Sequence, residues 1–276
     1  MNDIYEKELD NWQRSMVLWR LRNFVPLIGL HLLSEGENTF GKDPSNDIVV
    51  NSPDAPAFMG VIFKDGQSIS YRNTHEIEVT LNGKIVPEIE YTFDEDRNSE
   101  RLKFNFIKWY IQYVEDDYFL RLMDETSPLV SSYEPYKYFP ANGDFIFEAR
   151  YKTYKKPKVI PLDNVIGTSQ RYEHTGKAIF RYEGKKYELE VVGGSIIMFG
   201  DESNGDTTFP YGRYVRIKPN SEGWVILDFN YAFSPPRSVS LFTTCDLPPD
   251  QNHLPFSISA GEKYDGAGTD IIHPVH

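Results

Sequence analysis

The chain has 276 residues, 40% of them hydrophobic and 14% aromatic, so it can bury a substantial core in one large or two ordinary domains. Its formal net charge of -12 makes binding to nucleic acids or to anionic membranes unfavourable. The single cysteine, Cys245, excludes an intramolecular disulfide, and the acidic, polar N-terminus is unlike a secretory signal. We therefore expect a cytoplasmic protein.

The first predicted element is a helix over residues 1–23, which Asn2 or Asp3 can cap. Its large apolar residues recur at spacings of four and three, and so share one face: Tyr5, Leu9, Trp12, Met16 and Trp19. The polar face is mixed in charge, which disfavours a membrane-surface helix. We expect the helix to dock on the body of the protein.

Residues 24–127 contain short strand-like runs separated by turn signals, which predict a first β unit. The segment EVTLNGKIV at 78–86 reads as a hairpin, and KDG at 64–66 as a tight turn.

Two segments of this unit, GKDPSNDIVVNSPDAPAFMGVIF and LNGKIV, resemble the forkhead-associated (FHA) domain, a β-sandwich that binds phosphothreonine peptides. The positions that match its scaffold are Gly41, Asn46, Asp47, Ile48, Asn82 and Gly83. The phosphate-binding positions depart from the family pattern: Lys42 replaces the arginine, Pro56 the serine, Met59 the histidine and Ile77 the asparagine. A phosphate needs several charge-assisted donors, so the resemblance implies the fold more than the phosphopeptide function.

A loop rich in Pro, Ser and Tyr at residues 126–140 is the predicted domain boundary, and a second antiparallel β unit, a barrel or sandwich, is expected over residues 128–276. Glu183 and Gly184 predict a hairpin turn between two alternating arms. The basic run KTYKKPK at 152–158 is interpreted as a solvated loop. The whole chain is thus predicted to be mostly β, with an N-terminal helix.

The distal half carries four distinctive segments: MFGDESNGDTTFPYGRYVRI, ILDFNYAFSPP, TTCDLPPDQNHLP and ISAGEK. They resemble a bacterial family of unknown function, number 1684 among the domains of unknown function. The segment LIGLHLLSEGENTFGKDPSNDI is similar to the first half of that family, so the resemblance extends over nearly the whole chain. Arg237 stands where the family has a cysteine after its proline pair, and Asp201-Glu202-Ser203 follows the family pattern loosely.

The DFN segment indicates a polar site at the end of a strand over residues 224–231. Alternation places Val225, Leu227, Phe229 and Tyr231 on the core face, and Trp224, Ile226, Asp228 and Asn230 on the other. Arg213 lies on the preceding strand, which is expected to be its neighbour. The candidate ligand-binding residues are Tyr211, Arg213, Asp228, Asn230, Asn252 and Glu262.

Two interpretations of Arg213 and Asp228 stay open. They form a bidentate ion pair that only satisfies two charges, or Arg213 is free to bind an anionic or carbonyl ligand with Asp228, Asn230 and Glu262 around it.

Catalytic templates are mostly absent. The six histidines form no Cys/His cluster with metal-ligand spacing, so no metal or cofactor is expected. Cys245 with His253 could form a thiolate–imidazolium pair, although a lone cysteine is more often a small buried hydrophobe. Asp201 and Glu202, together with Asp228 and Glu262, could supply an acid–base carboxylate pair.

Three hypotheses for function follow. The first is a non-enzymatic protein that binds a small molecule or a protein partner in a polar–aromatic pocket of the second unit. The second is a hydrolase that uses Asp228, Glu262 and Arg213. The third is a phosphopeptide-binding module in the first unit, holding the phosphate with Lys42. Whether the chain is an enzyme stays open at this point.

Overall fold

The structure is a computed structural model that describes residues 2–73, 77–95, 97–114, 116–164, 169–243 and 245–265. The chain forms two compact units. Residues 21–133 make one, here called the inserted unit, and residues 1–20 with 134–276 make the other, the terminal unit. The predicted mostly β architecture with an N-terminal helix is confirmed.

The N-terminal helix, α1 (Asp3–Asn23), has Asp3 and Glu6 in its first turn, where acidic side chains favour the helix dipole. The Asn2 side chain accepts a hydrogen bond from the Tyr5 N–H at 2.9 Å. The predicted apolar face is confirmed, because Leu9 and Met16 are buried.

The inserted unit contains eleven strands within its described residues, followed by a short helix, α2 (Pro128–Ser132). The strands are β1 (Leu27–Leu32), β2 (Gly36–Gly41), β3 (Ile48–Val49), β4 (Gly60–Asp65), β5 (Ser68–Arg72), β6 (Thr80–Leu81), β7 (Lys84–Ile85), β8 (Glu88–Glu90), β9 (Leu102–Phe104), β10 (Ile107–Val114) and β11 (Asp117–Asp124).

These strands form two sheets, in the orders β1-β11-β10-β9-β6-β7 and β3-β2-β4-β5-β8. Both sheets contribute to one buried apolar cluster, in which the Phe40 ring meets the Trp109 ring at 5.4 Å. The predicted hairpin is confirmed as β6–β7, with Asn82 and Gly83 at φ values of 50° and 79°. A left-handed backbone at this turn explains the Asn-Gly sequence.

The terminal unit contains seven strands and four 3₁₀ helices in its described part. The strands are β12 (Ile146–Asp163), β13 (Ser169–Tyr182), β14 (Lys185–Val192), β15 (Ile196–Asp201), β16 (Arg213–Arg216), β17 (Trp224–Asp228) and β18 (His253–Leu254). The 3₁₀ helices are Gly143–Phe145, Phe229–Tyr231, Pro236–Ser238 and Asp250–Asn252.

One sheet in the order β16-β15-β14-β13-β12-β17 organises this unit, and β18 adds in parallel to β15. The predicted turn at Glu183 and Gly184 is confirmed between β13 and β14. The basic run at 152–158, expected to be a loop, lies within β12 at a register irregularity and remains solvent-exposed. A bulge lets a strand continue through residues that break its regular pairing.

The expectation that the strands carrying Arg213 and Asp228 pair with each other is wrong. β16 pairs with β15, whereas β17 pairs with β12. The chain instead returns to β16 five residues beyond Asp228, where Tyr214 and Phe233 exchange backbone hydrogen bonds of 2.8 and 2.9 Å. The two ends of the strand order are therefore bridged by the segment after β17.

A phenylalanine-rich cluster fills the interior of the terminal unit, and includes Phe147, Phe180, Phe199 and Phe229. A second cluster receives Met16 of α1, so the helix is part of this unit's core. No helix among the described residues is both long and apolar enough to cross a membrane.

Candidate functional site

The DFN segment ends β17 and caps a 3₁₀ turn. The Asp228 carboxylate accepts hydrogen bonds at 2.9 Å from the backbone N–H and from the side-chain amide of Asn230. The Asn230 amide also pairs with both backbone groups of Asn142, at 2.8 and 3.0 Å, as a second strand would. Phe229 is fully buried. Strand alternation therefore stops at Asp228, and the predicted outward position of Asn230 is wrong because this residue faces inward.

The second carboxylate oxygen of Asp228, Oδ2, accepts a hydrogen bond from a side chain of the N-terminal helix. Tyr5 donates its hydroxyl to Asp228 Oδ2 at 2.7 Å. Burial, reinforced by the hydrogen bond to Asp228, raises the pKa of Tyr5 well above its ordinary value. Tyr5 therefore stays a neutral donor to Asp228 at physiological pH.

Arg213 is fully buried and pairs with Asp201 rather than with Asp228. The Nη2–Oδ2 distance is 2.9 Å, and the guanidinium also donates to the backbone oxygens of Ile258 and Ala260 at 2.8 and 2.5 Å. Burial lowers the pKa of Arg213, and the negative charge of Asp201 opposes that shift. The Ser203 hydroxyl completes the site by donating to Asp201.

Glu262 forms a second buried ion pair, with Arg20 of α1. The two guanidinium nitrogens donate to the two carboxylate oxygens at 2.6 and 2.7 Å, and the two side chains are 1% and 0% exposed. The Tyr138 hydroxyl and the Ser234 N–H donate to the same carboxylate at 2.8 and 2.7 Å. Four donors thus satisfy Glu262, as a buried charge requires.

Asn252 fills a gap between two strands. Its side chain accepts from the Glu190 N–H of β14 at 2.6 Å, and donates to the carbonyls of Glu190 and Met198 at 3.0 and 2.7 Å. β14 and β15 share a single register pair, Val192 with Ile196, so the asparagine amide replaces the backbone bonds that are missing beyond it.

Tyr211, the sixth predicted residue, is half-buried with its ring edge-on to Phe209 at 5.7 Å. The only cysteine, Cys245, is buried, and its Sγ accepts a hydrogen bond from the Arg237 N–H at 3.1 Å. Burial also lowers the pKa of the Arg237 guanidinium. His253 is exposed, unlike Cys245.

The segment 258–262 connects the two ion pairs, because Arg213 binds its carbonyls and Arg20 binds the side chain of its last residue. Gly261 is required between them. Its φ is 76°, and a Cβ at this position would lie 2.5 Å from the carbonyl oxygen of Ala232. The glycine therefore permits a close backbone approach that no other residue could make.

The six predicted residues do not converge on one open cleft. Among the described residues, Arg213 and Asp228 share no hydrogen-bond partner. The side chains engaged in buried or capping contacts include those of Arg213, Asp228, Asn230, Asn252 and Glu262. The sequence prediction missed Arg20 and Tyr138 as partners of Glu262. Arg20 follows Met16 by four residues, so the helical spacing placed it on the buried face although its charge suggested otherwise.

A surface groove is present instead in the inserted unit, on the outer face of the five-stranded sheet. This outer groove has a volume of about 720 Å³. Its lining comprises Glu37, Val61, Phe63, Ser68, Ser70, Tyr71, Arg72, Glu88, Ile89 and Glu90. The Phe63 residue at its floor is 45% exposed, a large fraction for an aromatic side chain.

The outer groove is acidic. Three carboxylates line it, and Arg72 lies 3.6 Å from one of them, Glu37. Residues 21–133 hold 10 Lys and Arg against 19 Asp and Glu, so the inserted unit carries most of the chain's negative charge. The sequence predicted short strands in this region, but the concavity depends on sheet twist and could not be predicted from them.

Within the described residues, no group of three or more His, Cys, Asp or Glu side chains has the geometry to hold a metal ion. The residues His75, His273 and His276 lie outside the described part of the chain.

The fold and these interactions define a β-rich protein of two units, in which a buried polar network stabilises the terminal unit. Residues 131–263 match the family model described as "Protein of unknown function (DUF1684)". The matched range contains the DFN segment, Arg213 and Glu262, which carried the resemblance in the sequence. It does not extend to the first half of the chain, where the resemblance was also expected.

Among solved structures, the chain is similar to the solution NMR structure of an uncharacterized protein of Haloarcula marismortui. The two share 27% identity, the alignment covers 49% of this chain and 79% of that one, and the TM-score is 0.42. A comparison with the curated proteins found no match.

Proposed function

We propose that this chain is a partner-binding protein without catalytic activity, and that the outer groove of the inserted unit is its docking surface. The observation that carries the proposal is the exposed Phe63 in a concavity of about 720 Å³. Exposed aromatic side chains in concave surfaces are typical anchors of protein interfaces.

The pocket first expected in the terminal unit receives less support. Its intended ligand-binding groups, Arg213, Asp228 and Glu262, already bind Asp201, Tyr5 and Arg20. A ligand would have to replace buried, charge-assisted hydrogen bonds, which are costly to break. The same contacts weigh against the hydrolase hypothesis, because a general acid or base needs access to substrate.

We also infer that the inserted unit is an FHA-like sandwich used as a scaffold. In support, the Asn46 amide donates to the carbonyls of Asp43 and Ala57, both at 2.8 Å, and so ties together the loop that matches the family. Phosphopeptide binding is not part of the proposal. Lys42 Nζ donates to the Pro53 carbonyl at 2.8 Å, and the acidic surface repels a phosphate. The cytoplasmic location stays a prediction.

The proposal is tested by selecting binders from a displayed library of random peptides against the whole protein. A Ser70→Tyr variant fills the groove, and an Ile85→Ala variant alters an exposed apolar residue outside the groove lining. We expect selected peptides to bind Ser70→Tyr at least about tenfold more weakly, since one lost anchor contact is worth about 1.4 kcal/mol or more. Binding to Ile85→Ala should be unchanged. Peptides that bind all three proteins equally would show that docking occurs elsewhere.

A further inference from the structure

One edge of the five-stranded sheet borders the outer groove and, among the described strands, has no further strand paired to it. β8 is the last strand in that sheet and pairs only with β5 among the described strands. The Tyr91 N–H donates to the Ile69 carbonyl, and the Asn73 N–H to the Pro87 carbonyl, both at 2.8 Å. In an antiparallel pair such bonds alternate, so the odd-numbered residues from 87 to 91 face β5.

It follows that Glu88 and Glu90 direct their backbone N–H and C=O groups away from β5, toward the open edge. The register supports this assignment, because Glu88 lies opposite Arg72 and Glu90 opposite Ser70. Among the described strands, two backbone donors and two acceptors thus lie at an edge where a further strand could pair.

The side chains of the same two residues decide which strand would fit. Glu88 and Glu90 are exposed and line the outer groove, whereas Ile89 between them packs against the core. A strand added at this edge would place alternate side chains directly beside these carboxylates, with Cβ atoms about 5 Å apart. Opposite charges at such positions stabilise the pairing, and like charges oppose it.

We propose that the outer groove binds an extended segment of a partner protein that carries Lys or Arg at alternate positions and adds as a strand to β8. This inference rests on the proposed function and specifies the partner's chemistry. The main chain of β8 supplies the hydrogen bonds of the added strand, and Glu88 and Glu90 select its basic side chains. The row Glu37, Phe63, Ser70 and Glu90 runs across paired strands, so Phe63 lies two strand spacings, about 10 Å, inward from β8. A part of the partner beyond the added strand would cover it.

The test uses fluorescently labelled nine-residue peptides and fluorescence anisotropy with the whole protein at low salt. One peptide alternates Lys and Thr, a second has the same composition with its lysines in one block, and a third alternates Val and Thr. We expect the alternating Lys peptide to bind more tightly than the block isomer. A Glu88→Gln/Glu90→Gln variant should weaken its binding about threefold to twentyfold, from two cross-strand charge pairs.

An Asp116→Asn/Asp117→Asn variant is the matched control, because it makes the same change in net charge at two exposed carboxylates outside the groove lining. Equal losses in both variants, or equal binding of the two Lys peptides, would reduce the effect to general charge attraction and overturn the inference. Equal binding of the Val–Thr peptide, sensitive to Ser70→Tyr, would overturn the basic specificity but leave the proposed function standing. Should the variants instead abolish self-association in sedimentation experiments while no peptide binds, the occupant is a second copy of the chain and the inference is wrong.

Discussion

At the scale of single residues, the main finding is that conspicuous polar side chains of the distal segments stabilise the fold from inside. Arg20 donates two hydrogen bonds to the buried Glu262 carboxylate and Arg213 donates one to the buried Asp201 carboxylate, and each also donates to backbone carbonyls. A planar guanidinium suits this role because its donors are held in a fixed arrangement. Such a network stabilises only when it is complete, since a lone buried charge is strongly unfavourable.

The first prediction concerns Glu262→Gln. Loss of its charge leaves Arg20 buried without a counter-ion, so we expect the free energy of unfolding to fall by about 3–5 kcal/mol in urea titrations. Lys137→Gln is the control, because its ion pair with Asp265 has side chains that are 79% and 58% exposed. That change should cost less than about 1 kcal/mol. Equal stability of the two variants would contradict the structural role of the buried pair.

The second prediction concerns His174, which is fully buried on β13 with its Nδ1 3.6 Å from Glu190 Oε2. Burial lowers the pKa of the imidazole below its ordinary value of 6.5, and Glu190 only partly opposes this. The unfolded chain therefore takes up a proton more readily, so the contribution of His174 is present above pH 6.5 and is lost as the pH falls below it.

We expect His174→Gln to flatten the decline in unfolding free energy between about pH 7 and pH 5, the range in which a histidine titrates. The measurement is chemical denaturation at a series of pH values. The exposed residue His253, replaced by Gln, provides the comparison, and that variant should keep the slope of the wild type. A wild-type slope in His174→Gln would assign the acid sensitivity to other groups.

Residue types could be predicted from the sequence better than their partners. The DFN segment was recognised as distinctive. Val225, Leu227 and Phe229 are buried as predicted, whereas Tyr231 is only partly buried. The partners of Glu262 could not be found in the same way, because Arg20 lies 242 positions away in the chain. Short-range patterns contain no information about such pairings.

At the scale of elements, α1 is an internal component of the terminal unit. Trp12 contacts three rings edge-on, those of Tyr138, Tyr231 and Phe233, with centroid distances of 6.1, 5.0 and 6.4 Å. The helical period correctly predicted the face, since a single stripe of large apolar residues needs a surface to cover.

The third prediction is that Trp12→Ala lowers the free energy of unfolding by about 3 kcal/mol, through lost burial and lost aromatic contacts. Leu18→Ala, on the same helix at a residue that is 51% exposed, should change it by less than about 0.5 kcal/mol. Thermal and urea unfolding would measure both. A small effect at Trp12 would mean that the helix is only loosely attached.

Strand pairing was the element property that the sequence predicted least well. Consecutive strands are neighbours in most sheets, but β16 and β17 occupy opposite ends of the strand order. The rule failed because β17 pairs with β12 at the far end of the sheet, and the chain returns to β16 only at Phe233, after the 3₁₀ turn at Phe229–Tyr231. A turn of this kind depends on the Asp228 cap, whose effect on chain direction has no periodic signature.

At the scale of the whole molecule, charge is divided unevenly. The inserted unit carries an excess of nine acidic residues, and the terminal unit is closer to balance, with 19 Lys and Arg against 22 Asp and Glu. The overall charge predicts that phosphate-rich partners are unfavourable, but only the fold locates the acidic surface on one sheet face. Such a field would steer basic partners toward the inserted unit, and added salt would weaken that steering.

The connection between Arg20 and Glu262 also has a consequence for biosynthesis. During translation the first helix leaves the ribosome while its buried partner, 242 residues later, has not been made. At about 5–20 residues per second, that interval lasts roughly 10–50 s. The inserted unit is synthesised entirely within it and can acquire its own core first. Until then the tryptophans of the nascent helix lack the partners that cover them in the folded protein, and they are exposed to aggregation. The terminal unit, which contains the N-terminal helix, is therefore completed only when the last part of the chain has been synthesised.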